Sequence, residues 1–153
     1  MNFQDQPGSS QLVCPHCQAV NRLASGRLDD RPACGRCHRP LFEGRPVALN
    51  QQSFARHIGR DSIPVLVDFW APWCAPCRAM APAFEAAAAQ LEPRLRLAKV
   101  DTESEPQLAS AHGIQSIPTL VLFHGGRERA RQAGALPASQ LLAWVRQASA
   151  GLG

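Results

Sequence analysis

The run Val65-Leu66-Val67-Asp68-Phe69-Trp70-Ala71-Pro72-Trp73-Cys74-Ala75-Pro76-Cys77 constrains this chain more than any other stretch. A β-branched, apolar segment stops at a Pro/Trp turn and delivers two cysteines into what reads as a helix. Cysteines three apart at a helix start bring their Cα atoms within disulfide reach. The positive end of the helix favours a thiolate there. Cys-x2-Cys also occurs in zinc sites, so the spacing alone is ambiguous. The strand before it and the helical pattern after it make the redox reading the stronger one. The zinc reading would need two further ligands for this pair, and four other cysteines already make a complete set.

Those four are Cys14, Cys17, Cys34 and Cys37, spaced Cys-x2-Cys-x16-Cys-x2-Cys. The pattern reads as a zinc ribbon with four thiolate ligands, which leaves no open coordination position for catalysis. One structural Zn2+ is expected, and no organic cofactor. The first forty-odd residues hold few large apolar side chains, so a metal must supply what a core cannot. His16 and His38 are poorer ligands than the neighbouring cysteines; His57, His112 and His124 read as surface or helix-end residues.

With 153 residues, 45% hydrophobic and 18% charged, the chain has the composition of an ordinary globular protein. The expected division is a ribbon segment, 1–46, and a larger domain, 47–153. Each carries a net charge of +2, with Lys99 the one lysine. Arg22, Arg27, Arg31, Arg36 and Arg39 line the ribbon, but Asp29 and Asp30 blunt them and no aromatic platform accompanies them. No nucleic-acid partner is expected. No apolar run reaches spanning length, so no membrane association is expected. Met1–Gln11 lacks the cationic start and apolar core of a secretory signal. A cytoplasmic location and a monomer are the expectation, and six cysteines in a reducing compartment read as metal ligands and redox groups.

Residues 47–153 alternate strand and helix signals. Val47–Leu49 begins the series. Asn50 caps a helix expected to end at Gly59. Ile63–Phe69 reads as a strand buried on both faces. Met80, Phe84, Ala88 and Leu91 mark a helix that Pro82 should kink. Leu95–Val100 reads as a strand and Glu105–His112 as a short helix closed by Gly113. Thr119–His124 and Arg127–Ala133 flank the hairpin signal Gly125-Gly126. A last helix carries Leu141, Trp144, Val145 and Ala148, with Pro137 in its first turn. The series predicts an α/β fold with a mixed sheet covered on both faces.

Phe69 to Arg78 resembles the active-site signature of the thioredoxin family. Pro82, Ile117-Pro118-Thr119, Gly126 and Gly134 fall where that family has a kink proline, a cis-proline loop and two late glycines. The likeness spans residues 47–150, with Ala75-Pro76 in place of the commoner Gly-Pro between the cysteines. The four-cysteine segment resembles that of the bacterial zinc-containing thioredoxin 2 group. The resemblance implies the thioredoxin fold and a thiol–disulfide oxidoreductase that reduces disulfide-containing proteins. It implies recharging by an NADPH-dependent flavoprotein reductase. Cys74 would be the nucleophile and Cys77 the resolving thiol. Pro76, Pro118 and Lys99 would support the site; Trp73, Ile117, Pro118 and Gly134 would dock substrate.

Asp68 has two readings on the residues alone. A carboxyl group inside an apolar strand is costly to ionise, which suits a general acid/base serving Cys77. Alternatively it is a strand-end acid satisfied by hydrogen bonds or by Lys99. The resemblance favours catalysis. A competing function for the whole chain is a zinc-dependent, redox-sensing binding or chaperone module on the same scaffold. An oxidant or isomerase of an oxidising compartment is a third reading.

Overall fold

The computed structural model describes residues 9–24 and 26–152. Most of the Met1–Gln11 stretch lies outside the described residues. The N-terminal segment contains two short strands, β1 (Ser10–Val13) and β2 (Val20–Leu23), paired antiparallel. The expected alternation follows: β3 (Val47–Ala48), α1 (Gln51–Arg60), β4 (Val65–Trp70), α2 (Ala75–Leu91) and β5 (Arg96–Asp101). Then come α3 (Pro106–Ala111), β6 (Thr119–His124), β7 (Arg127–Ala133) and α4 (Ala138–Ser149).

The last five strands form one sheet in the order β3-β5-β4-β6-β7. β4 pairs parallel with β5 and antiparallel with β6, and β6 and β7 form the expected hairpin. Because side chains alternate along a strand, β4 feeds two cores. Val65, Val67 and Phe69 pack with Phe54, Ile58 and Leu108 of α1 and α3. Leu66 packs with Met80, Phe84 and Leu91 of α2 and with Leu141 and Val145 of α4. Asp68 shares the face of Leu66, so its carboxyl group is carried into the layer under α2.

Several boundaries move, each for a local reason. β4 starts at Val65 rather than Ile63, since Pro64 has no N–H to give a ladder. Ile63 packs instead against Leu12, Cys14, Cys34 and Leu41 of the ribbon. α1 does not stop at Gly59: that residue keeps helical geometry without a positive φ, and Asp61 is the C-cap. Asn50 caps α1 as expected, its side chain accepting the Ser53 N–H at 2.9 Å while Ser53 Oγ accepts the Asn50 N–H. α2, by contrast, carries Pro82 inside one helix, as the spacing of Met80, Phe84, Ala88 and Leu91 predicts. Pro137 is the N-cap of α4 rather than a first-turn residue. Of the two places read for His57, the structure takes the helix end: it sits in the last turn of α1 and is fully buried.

Candidate functional site

β4 ends at Trp70, and Ala71-Pro72-Trp73 turns the chain so that Cys74 becomes the N-cap of α2. Pro76 stands at N2, where its missing N–H costs no helical hydrogen bond. Cys77, in the first turn, donates its N–H to Cys74 Sγ at 3.2 Å. The two cysteines form a disulfide with Cα atoms 5.2 Å apart, and both are buried.

The opposite wall comes from β6. Its register pairs Phe69 with Thr119, which sets Ile117-Pro118 beside the end of β4. The Ile117–Pro118 bond is cis, and the Ile117 carbonyl oxygen lies 3.8 Å from Cys74 Sγ. Gly134, at φ 95°, donates its N–H to the Pro118 carbonyl at 2.9 Å, tying the end of β7 to the same loop. Ile117 packs on Ala71, Cys74 and Cys77. Trp73 is 66% exposed, an outlying large apolar side chain among the described residues. It lines a groove with Thr102, Ile114, Ser116 and Ile117. Trp70 packs inward on the cysteines.

Asp68 is 1% exposed, and its Oδ1 has no hydrogen-bond partner among the described residues. Burial raises its pKa to about 7, opposed in part by the charge of Lys99. Lys99 is its register partner on β5, yet the ammonium lies 4.3 Å from the centre of the Trp70 ring. The cation is thus held by an aromatic face and leaves the carboxyl group unpaired. A carboxyl group balanced near neutrality can take a proton and return it.

The ribbon cysteines converge as their spacing predicts. The four sulfurs lie within 4.8 Å of one another, with Cys14–Cys37 and Cys17–Cys34 both at 3.6 Å. Tetrahedral zinc with 2.3 Å bonds separates its sulfurs by about 3.8 Å, so the set fits one such ion. Burial pushes the Cys14 thiol up to about 12. Burial also works against Cys34, but N–H donors from Cys37 and Arg36 and the Asn21 amide bring that thiol down to about 6. It is the convergence of four sulfurs in a tetrahedral arrangement that suits zinc. His16 and His38 stay out of the cluster, and His16 Nε2 sits 2.7 Å from Glu43.

Residues 45–147 match the family model described as Thioredoxin. The chain belongs to the thioredoxin family. Residues 13–39 match a second model, the N-terminal zinc ribbon of thioredoxin 2. Among curated proteins, thioredoxin C-3 of Corynebacterium nephridii is 44% identical over 89% of this chain and 93% of its own length. The chloroplastic M-type thioredoxin of Chlamydomonas reinhardtii is 36% identical over 80% and 90%. The solved thioredoxin of Malassezia sympodialis superposes with a TM-score of 0.61 at 31% identity, covering 67% of this chain and 90% of that one. This thioredoxin-family chain is a thiol–disulfide oxidoreductase, a protein disulfide reductase, and its ribbon is of the thioredoxin 2 type.

Sequence reasoning gave no role to Asn21, which stands on β2, accepts the Gly35 N–H at 2.8 Å and reaches Cys34 Sγ at 3.5 Å. Nor did it single out Asp61 and Arg96, both buried where ribbon and sheet meet. The one signal available for Arg96 was a charge inside the apolar run Leu95–Val100.

Proposed function

We propose that Cys74 and Cys77 cycle between dithiol and disulfide to reduce protein disulfides in the cytoplasm, with Asp68 moving the proton. The observation that carries this is the placement of the pair. Cys74 caps a helix, receives an N–H, faces the Ile117 carbonyl and lies in the layer into which the unpaired carboxyl group of Asp68 is directed.

In the reduced protein the Cys77 N–H and the helix end favour Cys74 as thiolate. That thiolate attacks one sulfur of a substrate disulfide, forming a mixed disulfide and releasing the other sulfur as a thiolate. Cys77 then gives its proton to the Asp68 carboxylate, directly or through a water, and attacks Cys74 Sγ. The Cys74–Cys77 bond forms as the second substrate sulfur leaves. Two electrons have passed to the substrate. Trp73 and Ile117 offer apolar contact to the segment being reduced, and the open backbone before Pro118 can pair with it. Pro76, Pro118, Lys99 and Gly134 hold the two walls in place.

Ala75-Pro76 resembles the loops of reducing family members, which supports reduction as the physiological direction and electron transfer from an NADPH-dependent flavoprotein reductase. No helix among the described residues is long and apolar enough to cross a membrane. One zinc ion held by Cys14, Cys17, Cys34 and Cys37 supplies structure to the ribbon and takes no part in the exchange. Each chain then works as a monomer.

Cys74→Ser is expected to abolish turnover of a protein disulfide, whereas Cys77→Ser traps partners as stable mixed disulfides through Cys74. A Cys74→Ser protein with normal turnover overturns the assignment of the nucleophile. An inability of Cys77→Ser to trap any disulfide substrate removes the resolving role.

A further inference from the structure

The ribbon is joined to the sheet through a buried ionic cluster that the redox chemistry does not use. Arg96 opens β5 and is 0% exposed. It shares a strand face with Ala98 and Val100, so it points to the side of α1. A buried guanidinium needs acceptors for its donors, and here they come from separate stretches of chain. Nε donates to Asp61 Oδ2 at 3.0 Å, Nη1 to the Leu41 carbonyl at 3.1 Å and Nη2 to the Val13 carbonyl at 3.1 Å. Phe42 lays its ring 4.6 Å from the guanidinium carbon.

Asp61 completes the clasp. Its Oδ1 accepts the Val13 N–H at 2.7 Å, and its Oδ2 lies 2.7 Å from Nδ1 of buried His57. Val13 is therefore gripped at both its amide nitrogen and its carbonyl oxygen by residues of the thioredoxin sheet and helix. The next residue is Cys14. Nearby, Gln11 Nε2 donates to the Arg60 carbonyl at 3.0 Å, and the Ser62 N–H donates to the Gln11 carbonyl at 2.8 Å.

We propose that Arg96 and Asp61, steadied by His57, are positioning residues of the metal site: they fix the first knuckle from outside the ribbon and set how firmly zinc is retained. The inference rests on the four cysteines holding zinc, as proposed above. Partners that orient a metal site from behind its ligands commonly change metal affinity by about ten- to a hundredfold when removed. The coupling runs both ways, since a clamp that steadies the loaded ribbon is itself steadied by zinc. The clamp is also remote from the redox pair. Arg96 registers with Val65 at the start of β4, whereas Cys74 follows the far end of that strand, about 17 Å away along it. Zinc retention and disulfide turnover should therefore separate.

The test uses the full, zinc-loaded chain. Zinc transfer to a chromogenic chelator is timed for the wild type, Arg96→Met and Arg96→Lys, with turnover and circular dichroism as checks on the fold. Arg96→Met is expected to release zinc at least about tenfold faster while turnover stays within about twofold. Arg96→Lys, which keeps the charge without the fork, should fall between. An unchanged release rate in folded Arg96→Met overturns the proposal. Should Arg96→Met fail to fold, the wild type alone decides through hydrogen exchange before and after chelation. Faster exchange at residues 57–61 and 95–97 together with the ribbon supports the clamp, and loosening confined to residues 10–42 overturns it. A wild-type chain that carries no zinc overturns the metal reading itself, and this inference with it.

Discussion

Three Cys-x2-Cys pairs occur in this chain, and they begin with nearly the same turn. In each, the residue after the second cysteine donates its N–H to the carbonyl of the first: Gln18 to Cys14 at 3.0 Å, His38 to Cys34 at 2.9 Å, Arg78 to Cys74 at 3.1 Å. In each, the first sulfur accepts a backbone N–H from within the turn. The pairs diverge at the donating residue. Gln18 and His38 take positive φ, 64° and 66°, which reverses the chain. Cys14 and Cys34 then donate to Ala19 and Arg39, closing two knuckles. Arg78 stays helical, and α2 runs on to Leu91. A reversed turn leaves two sulfurs aimed outward to meet another pair; a continued helix sets them against each other at a charged helix end. The same spacing thus occurs on two chain paths, a reversed knuckle and a continued helix, told apart by the φ of the residue after the second cysteine.

The largest effects that would break this contrast come from exchanging a sulfur for an oxygen in one pair at a time. Structural zinc in four-cysteine sites is held by roughly 10–16 kcal/mol, shared among its ligands. Cys34→Ser should therefore cut zinc content to a small fraction of the wild-type value, with turnover kept within a few-fold. Cys74→Ser should do the reverse. Metal analysis alongside a disulfide-reduction assay checks both. Loss of turnover in Cys34→Ser equal to that in Cys74→Ser would merge the two sites into one.

Asp68 sharpens the redox side. Its folded pKa of about 7 lies above the ordinary value of 3.8, so the folded state prefers the protonated form. Stability is then undiminished below about pH 4 and declines as pH rises, levelling off above about pH 7. At 1.36 kcal/mol per unit the full loss is about 4 kcal/mol. Asp68→Asn keeps the shape and cannot ionise. It should match the wild type near pH 4 and exceed it by up to about 4 kcal/mol at pH 8 in denaturant unfolding, while slowing closure of the Cys74–Cys77 bond. A stabilisation independent of pH would assign the effect to packing instead.

The cysteines were legible because their chemistry is written in local spacing. The mixed sheet, its helical cover on both faces and the closing hairpin were legible in the succession of strand and helix signals, whereas the strand order β3-β5-β4-β6-β7 came only with the structure. The clamp was not legible. Arg96 lies 83 residues from Val13 and 55 from Leu41, and no local pattern announces a contact between such distant positions. The end of α1 went astray for a related reason. Gly59 reads locally as a helix stop, but the helix extends to Arg60 and brings Asp61 to the ribbon. His57 stands at the helix end that its reading allowed, but its full burial was not legible because it depends on that same junction.

The smallest effect probes the dihedral itself. A left-handed residue other than glycine costs about 1–2 kcal/mol, and glycine recovers most of this while losing some through its freer unfolded chain. Gln18→Gly should therefore leave the protein equally stable or up to about 1 kcal/mol more so. At the equivalent place in the other motif the sign reverses. Arg78→Gly puts glycine inside α2 at a cost of about 1 kcal/mol and removes the Nη1 hydrogen bond to the Pro72 carbonyl at 2.8 Å. Unfolding midpoints of the two zinc-loaded variants, measured at one pH, should move in opposite directions. Equal destabilisation by both would mean that the reversal at Gln18 is not what separates a knuckle from a redox helix.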